Sequence, residues 1–197
     1  MNDFLARTQE GAAALRRAVT IKTRPQLLAS VREEPAVGAG VLAAAIGQVE
    51  KARTLTRPSA LGVAAVTASH AAYAWSLYRR GARNDALGWG LRAAVWGAGV
   101  AATRKEPTAA AVAVGGAAVL TTSAVAGDPA LRTDAGKGIS HGANLLVAAE
   151  GLTALRAALA QHYRGKWKQG ARLVGAAEAG ALAVGHLLLL DGLRRTR

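Results

Sequence analysis

The chain has 197 residues, 51% hydrophobic and 19% charged, with 25 Lys and Arg against 12 Asp and Glu and a formal charge of +13. It has no Cys, which excludes disulfides, Cys-ligated zinc, iron–sulfur clusters and thiol catalysis. Its length suits one domain, and its apolar mass is Ala, Val, Leu and Gly with one Phe and one Met. That supply is poor for filling a soluble core and good for close helix approach in a bilayer.

Residues 1–28 form a basic N-terminal segment. Phe4, Leu5, Ala12, Leu15 and Val19 fall near helical spacing, but the charges between them are too many for a span. The segment reads as an amphipathic helix lying in a membrane interface, without the cleavage pattern of a signal peptide. Residues 29–197 read as a helical bundle. Runs poor in charge follow at 36–49, 58–78, 86–103, 107–127, 139–155 and 173–190. A bilayer-spanning helix needs about 20 mainly apolar residues; the second and fourth runs meet this, the third, fifth and sixth do so if Arg92, Glu150 and Glu178 are tolerated, and the first is short unless it begins before Pro35. The fold expected is all-α, a polytopic transmembrane bundle of about six helices.

The charges lie between the runs, in VREE, EKARTLTR, RRGARND, TRKE, RTDAGK, YRGKWKQGAR and RRTR. Connections this short suit antiparallel neighbours. Because the basic residues are spread over many loop ends rather than gathered on one face, they read as membrane flanks and not as a nucleic-acid surface. Trp75, Tyr78 and Trp89 near run ends, and Tyr163 and Trp167 in a loop, resemble an interfacial aromatic belt. Arg79 and Arg80 then mark the water boundary, with His70 about two turns deeper. Small residues recur every four positions at Ala39, Ala43 and Gly47, at Ala93, Gly97 and Ala101, and at Ala177, Ala181 and Gly185, a spacing that permits tight packing.

Ionisable and polar groups inside such runs face the bundle interior or a wet cavity. They are Gln48, Glu50, His70, Arg92, His141, Asn144, Glu150, Glu178 and His186. His70 and Tyr73 share a helix face, as do His141 and Asn144; Glu178 and His186 are two turns apart on one stripe. Arg92 is expected to pair with Glu150 or Glu178. The plain reading for each is an interhelical bond that holds the bundle together; for the set, a polar cavity is the expectation. No phosphate-binding loop, zinc-protease motif or nucleophile elbow is present, and no cofactor or metal is expected.

The run LGVAAVTASHAAYAWSLY at 61–78 resembles the YhhN family of membrane proteins, the lysoplasmalogenases, through its Gly- and Ala-rich helix with Ser69, His70 and Tyr73. KTRPQLL at 22–28, AAAIGQVE at 43–50, GAAVLTTSA at 116–124 and LLVAAEGL at 145–152 resemble further family helices in the same order. The resemblance covers roughly residues 20–160. It leaves the family's first transmembrane helix unmatched and the helix after residue 170 as an addition. It implies a multi-pass plasma-membrane protein and hydrolysis of a vinyl-ether bond by proton donation and water addition. The family's two aspartates fall on Gln48 and Ala124, neither of which can donate that proton, so hydrolysis is in doubt. Glu150 is the candidate replacement acid, and Gln48, His70, Tyr73, His141 and Asn144 are candidate ligand-binding residues. The functional expectation is a polar intramembrane cavity for a lipid-like ligand. The alternative is a non-enzymatic membrane subunit that binds lipid or a partner membrane protein, and a third class is a soluble Ala-rich bundle that binds nucleic acid.

Overall fold

The computed structural model describes residues 34–54, 57–83, 86–162 and 167–196. Among them are six α-helices and no strand. These are α1 (Pro35–Arg53), α2 (Ala60–Arg79), α3 (Ala86–Thr103), α4 (Gly116–Ala126), α5 (Ile139–His162) and α6 (Trp167–Arg195). A π-helical turn, Ala111–Gly115, leads into α4, and a 3₁₀ turn, Pro129–Leu131, follows it. Each of the six charge-poor runs therefore contains one helix. Several outrun their run: α1 takes in Lys51 and Arg53, where cations favour a helix C-terminus. The N-terminal segment 1–28 and Tyr163 lie outside the described residues. Trp167, expected in a loop, starts α6.

Local chemistry sets the ends. Pro35 opens α1 after an extended Glu34, since its missing N–H leaves no bond unmade there. Ser59 caps α2 by accepting from the Gly62 N–H at 3.0 Å. α2 stops at Gly81, whose φ of +89° suits glycine. The Gly81 N–H donates to the Tyr78 carbonyl and the Ala82 N–H to that of Leu77, the double closure of a Schellman motif. Asp128 accepts from the Ala130 N–H and from the Arg83 N–H, each at 2.7 Å, and so joins the start of α3 to the end of α4.

α1 packs on α2, α2 on α4, α4 on α5, and α5 on α6, while α3 rests on α4 and the π turn. The chain thus runs back and forth between two ends. At one end, where α1 begins and α2 finishes, Val37, Tyr73, Leu77, Val125, Ile139, Leu146, Leu189 and Leu193 form a buried core. Arg80 closes this end. It makes a two-pronged bond to Glu34, at 3.1 and 2.5 Å, and donates to the Leu193 carbonyl at 2.8 Å and the Thr196 hydroxyl at 3.0 Å. Its side chain is only 9% exposed. Of the two arginines expected to mark a water boundary, Arg79 is exposed and Arg80 is an internal clasp.

The close contacts follow the small-residue rows only in part: Gly47 and Gly185 make them, and the row through Ala93, Gly97 and Ala101 does not. α1 buries Gly40, Ala44 and Gly47 against α2, whereas Ala39 is exposed. Ala93, Gly97 and Ala101 are all exposed, and a Cβ on Gly97 would meet nothing. α5 and α6 touch through Gly142 and Gly185: a Cβ on Gly142 would lie 2.6 Å from the Leu189 nitrogen and 2.7 Å from the Gly185 carbonyl oxygen.

Candidate functional site

The opposite end of the bundle, where α1 finishes and α2 begins, holds a cavity of about 350 Å³. Val63 and Val66 of α2, Val95 and Trp96 of α3, and Val119 and Leu120 of α4 form part of its apolar wall. Gly99, Gly115, Gly116 and Gly151 also border it. A Cβ on Gly99, Gly115 or Gly116 would have no neighbour closer than 3.5 Å, and one on Gly151 none within 4 Å. The nearest groups to Gly99, Gly115 and Gly116 are the side chains of Val112, Val66 and Trp96, across helices that do not close up.

The polar groups of the wall are few. Lys51, near the end of α1, forms an ion pair with Glu150 of α5, 99 residues away; the two side chains are 15% and 25% exposed. Ser59 donates to Glu50 at 2.6 Å beside them, and Thr153 also borders the cavity. One charged pair set against an apolar wall is the usual make-up of a site for a mostly apolar ligand.

Of the candidate site residues, only Glu150 borders this cavity. His70 and Tyr73 are together, as their spacing predicted, but in the packed interior. His70 Nδ1 lies 3.0 Å from the Thr122 hydroxyl oxygen, which itself donates to the His70 carbonyl at 3.0 Å. The His70 and Tyr73 rings meet edge to face with centroids 5.8 Å apart, and the Tyr73 and His186 rings do so at 6.0 Å. Gln48 is half-buried on α1, away from the wall, and His141 is exposed. Asn144, also exposed, accepts from Ser123 at 2.6 Å, and Ser123 accepts from Arg92 Nε at 2.9 Å.

The expected partnership of Arg92 with Glu150 or Glu178 is replaced by that neutral relay and by a bond to the Gly88 carbonyl at 3.0 Å. The reason is placement: α3 rests on α4, so the nearest acceptor is a serine. Glu178 is in an ion pair, as expected of it, but with Arg156 at 3.0 Å, and it accepts from Thr153 at 2.9 Å. Glu178 and His186 share α6 and serve different neighbours, α5 and α2 respectively. Lys51, Arg80, Thr122 and Arg156 carry contacts that sequence reasoning missed. Each lies in a charged flank or an apolar run with nothing local to distinguish it. Among the described residues, no three His, Asp or Glu converge as metal ligands would.

Comparison with protein-family models, with curated proteins and with solved structures finds no match. Geometry alone therefore defines the class: an all-α bundle, closed at one end and holding a half-open apolar cavity with one ion pair at the other. One described helix, Gly170–Arg195, is long and apolar enough to cross a membrane, and Ala111–Ala126 is apolar but shorter.

Proposed function

We propose that the chain is a multi-pass plasma-membrane protein whose cavity receives a single-chain lipid-like ligand, with the polar end of that ligand at Lys51 and Glu150. The observation that carries this reading is an apolar cavity of about 350 Å³ with a charged pair in its wall. At roughly 30 Å³ per methylene-sized group, close to the liquid volume of a water, that space takes about a dozen groups: one acyl chain and not two.

The bilayer setting is supported by the distribution of polarity. Ser69, His70, Ser76, Thr122, Ser123 and Glu178 are buried, while Leu42, Ile46, Leu61, Leu87, Leu91 and Val95 are exposed. α3 buries no residue, and Leu87 and Leu91 are 73% and 64% exposed. Such a surface is costly in water and neutral in lipid. The helices other than Gly170–Arg195 owe their modest hydropathy to Ala, Gly and interior polar groups, which a surrounding bundle can satisfy.

Binding is favoured over the hydrolysis that the YhhN resemblance implies. A carboxylate that accepts from an ammonium is not a proton donor, and Glu150 accepts from Lys51. Gln48 and Ala124 occupy the positions of the family's carboxylates. Purified protein incubated with a lysoplasmalogen is thus expected to release no aldehyde. Native mass spectrometry of the same sample is expected to show a bound single-chain lipid. In Gly151→Trp, whose ring fills the cavity from an open position, that lipid is lost while the bundle stays folded. Aldehyde release that vanishes in Glu150→Gln would instead assign Glu150 as the acid. Extraction by alkaline carbonate would remove the membrane reading altogether. The exposed apolar face of α3 favours a second reading, a membrane subunit that seats a partner helix there; a co-purifying membrane protein lost in Leu91→Lys would support it.

A further inference from the structure

The polar groups that border the cavity accept more hydrogen bonds than they can donate. An ionised carboxylate only accepts, an ammonium only donates, and a hydroxyl has one hydrogen to give and two lone pairs. The wall holds five hydroxyls, those of Thr54, Ser59, Thr103, Thr108 and Thr153, and all but Thr108 have given their hydrogen to the protein. Thr54 donates to the Glu50 carbonyl at 2.8 Å, Ser59 to the Glu50 carboxylate at 2.6 Å and Thr103 to the Gly99 carbonyl at 2.8 Å. Thr153 donates toward the Ala149 carbonyl at 3.0 Å and the Glu178 carboxylate at 2.9 Å. Lys51 Nζ carries three hydrogens and gives one to Glu150 Oε1. Among the described residues Lys51 has no other partner, and Glu150 Oε2 has none. Charge is balanced as well. Lys51 and Glu150 are the only charged residues of the described lining and they pair with each other, while Glu50, bonded to Ser59, lies 3.6 Å from Arg53.

A ligand head that is itself charged must compete with one member of this pair. A phosphate or carboxylate accepts from Lys51 but then lies beside the Glu150 carboxylate, and like charges repel strongly where little water screens them. It also brings no hydrogen for Glu150 Oε2 or for the hydroxyl oxygens. An ammonium head meets Lys51 in the same way. A neutral head with hydroxyls accepts from Lys51, donates to Glu150 and leaves the ion pair intact. We infer, resting on the single-chain ligand proposed above, that the cavity selects a neutral polyol head of the monoacylglycerol type over an anionic or cationic head on the same chain. The apolar wall holds the chain, and the Lys51–Glu150 pair reads the head.

Equilibrium competition tests this on the full chain, purified in a steroid detergent too bulky for a single-chain cavity. Monodecanoylglycerol, decanoate, decyl phosphate and decylammonium are offered at equal concentration near neutral pH, and the bound species are read by native mass spectrometry. The glyceride is expected to bind about tenfold more tightly than each charged analogue, the scale of one hydrogen bond to a charged group. In Glu150→Gln the ammonium of Lys51 stands without its counter-charge, and the order is expected to invert, with decanoate and decyl phosphate ahead of the glyceride. A wild-type preference for a charged analogue, or no preference, would overturn the neutral head and leave the cavity as a lipid site. Binding of none of the four would remove the cavity reading itself, and this inference with it. An order unchanged in Glu150→Gln, at wild-type helix content, would show that the pair does not read the head and would also overturn the inference.

Discussion

The two ends of this bundle both carry interior glycines and come out differently. At the clasp end, Gly142 and Gly185 bring α5 and α6 into backbone contact, large side chains fill the remaining space, and Arg80 ties three helices together. At the open end, glycines border a cavity, and a single ion pair bridges α1 and α5. Glycine alone therefore sets neither close packing nor a void. What decides is whether the facing row offers a backbone groove, as Gly185 does for Gly142, or a line of valines held apart by the helices behind them.

The sharpest way to break this contrast is to unlock the clasp. Arg80→Met removes the guanidinium that bonds Glu34, the Leu193 carbonyl and the Thr196 hydroxyl together, and removal of one member of a buried pair costs about 3–5 kcal/mol. Thermal unfolding in detergent is expected to show the largest loss of any single variant here. Arg80→Lys recovers only part of it, since an ammonium cannot reproduce the two-pronged bond. A result no worse than that of an exposed arginine such as Arg79→Met would refute the clasp.

Next in size is a matched pair of glycine changes. Gly142→Ala forces a methyl against the backbone of α6 and is expected to cost about 1–3 kcal/mol, the usual range for overpacking. Gly151→Ala meets open space and, by helix propensity, gains about 1 kcal/mol or stays neutral. Equal effects would mean that the two ends do not differ in packing.

Lys51→Met and Glu150→Met are each expected to destabilise by about 1–3 kcal/mol, less than a fully buried pair, because both side chains retain some exposure. The double variant Lys51→Met with Glu150→Met recovers most of that loss, since no charge is then left unpaired. Strict additivity in that cycle would show that the two groups do not interact. The smallest effect is that of Thr122→Val, which removes the bonds to the His70 ring and carbonyl and costs about 1 kcal/mol. Its readout is a shift of the His70 imidazole resonances without a change in the fold; unshifted resonances would mean that the His70–Thr122 bond is absent.

Most of the secondary structure was legible. The charge-poor runs became helices because short-range chemistry governs both: Pro35, Ser59 and Gly81 punctuate locally, and α3 has the bounds of its run, 86–103. The pairing of His70 with Tyr73 was also legible, since residues three apart on a helix share a face whatever surrounds them. The partners of Arg92, Glu150 and Glu178 were not. A carboxylate at 150 and an ammonium at 51 carry no mark of each other across 99 residues, and several arginines were equally eligible for Glu178. The small-residue rows picked out Gly47 and Gly185 but not the remaining contacts, for a related reason. In a chain with 23 glycines, spacing by four occurs on most helix faces, so it does not single out the face that packs.

By itself, then, the sequence determined that the described chain is helical, where several of its helices start or stop, and which neighbours along a helix share a face. All of these depend on residues within a turn or two of one another. Tertiary structure alone decided that one end closes on Arg80 while the other keeps a cavity, and which charge meets which. Those outcomes depend on the distance and rotation between helices. Side chains far apart in sequence set that distance and rotation jointly.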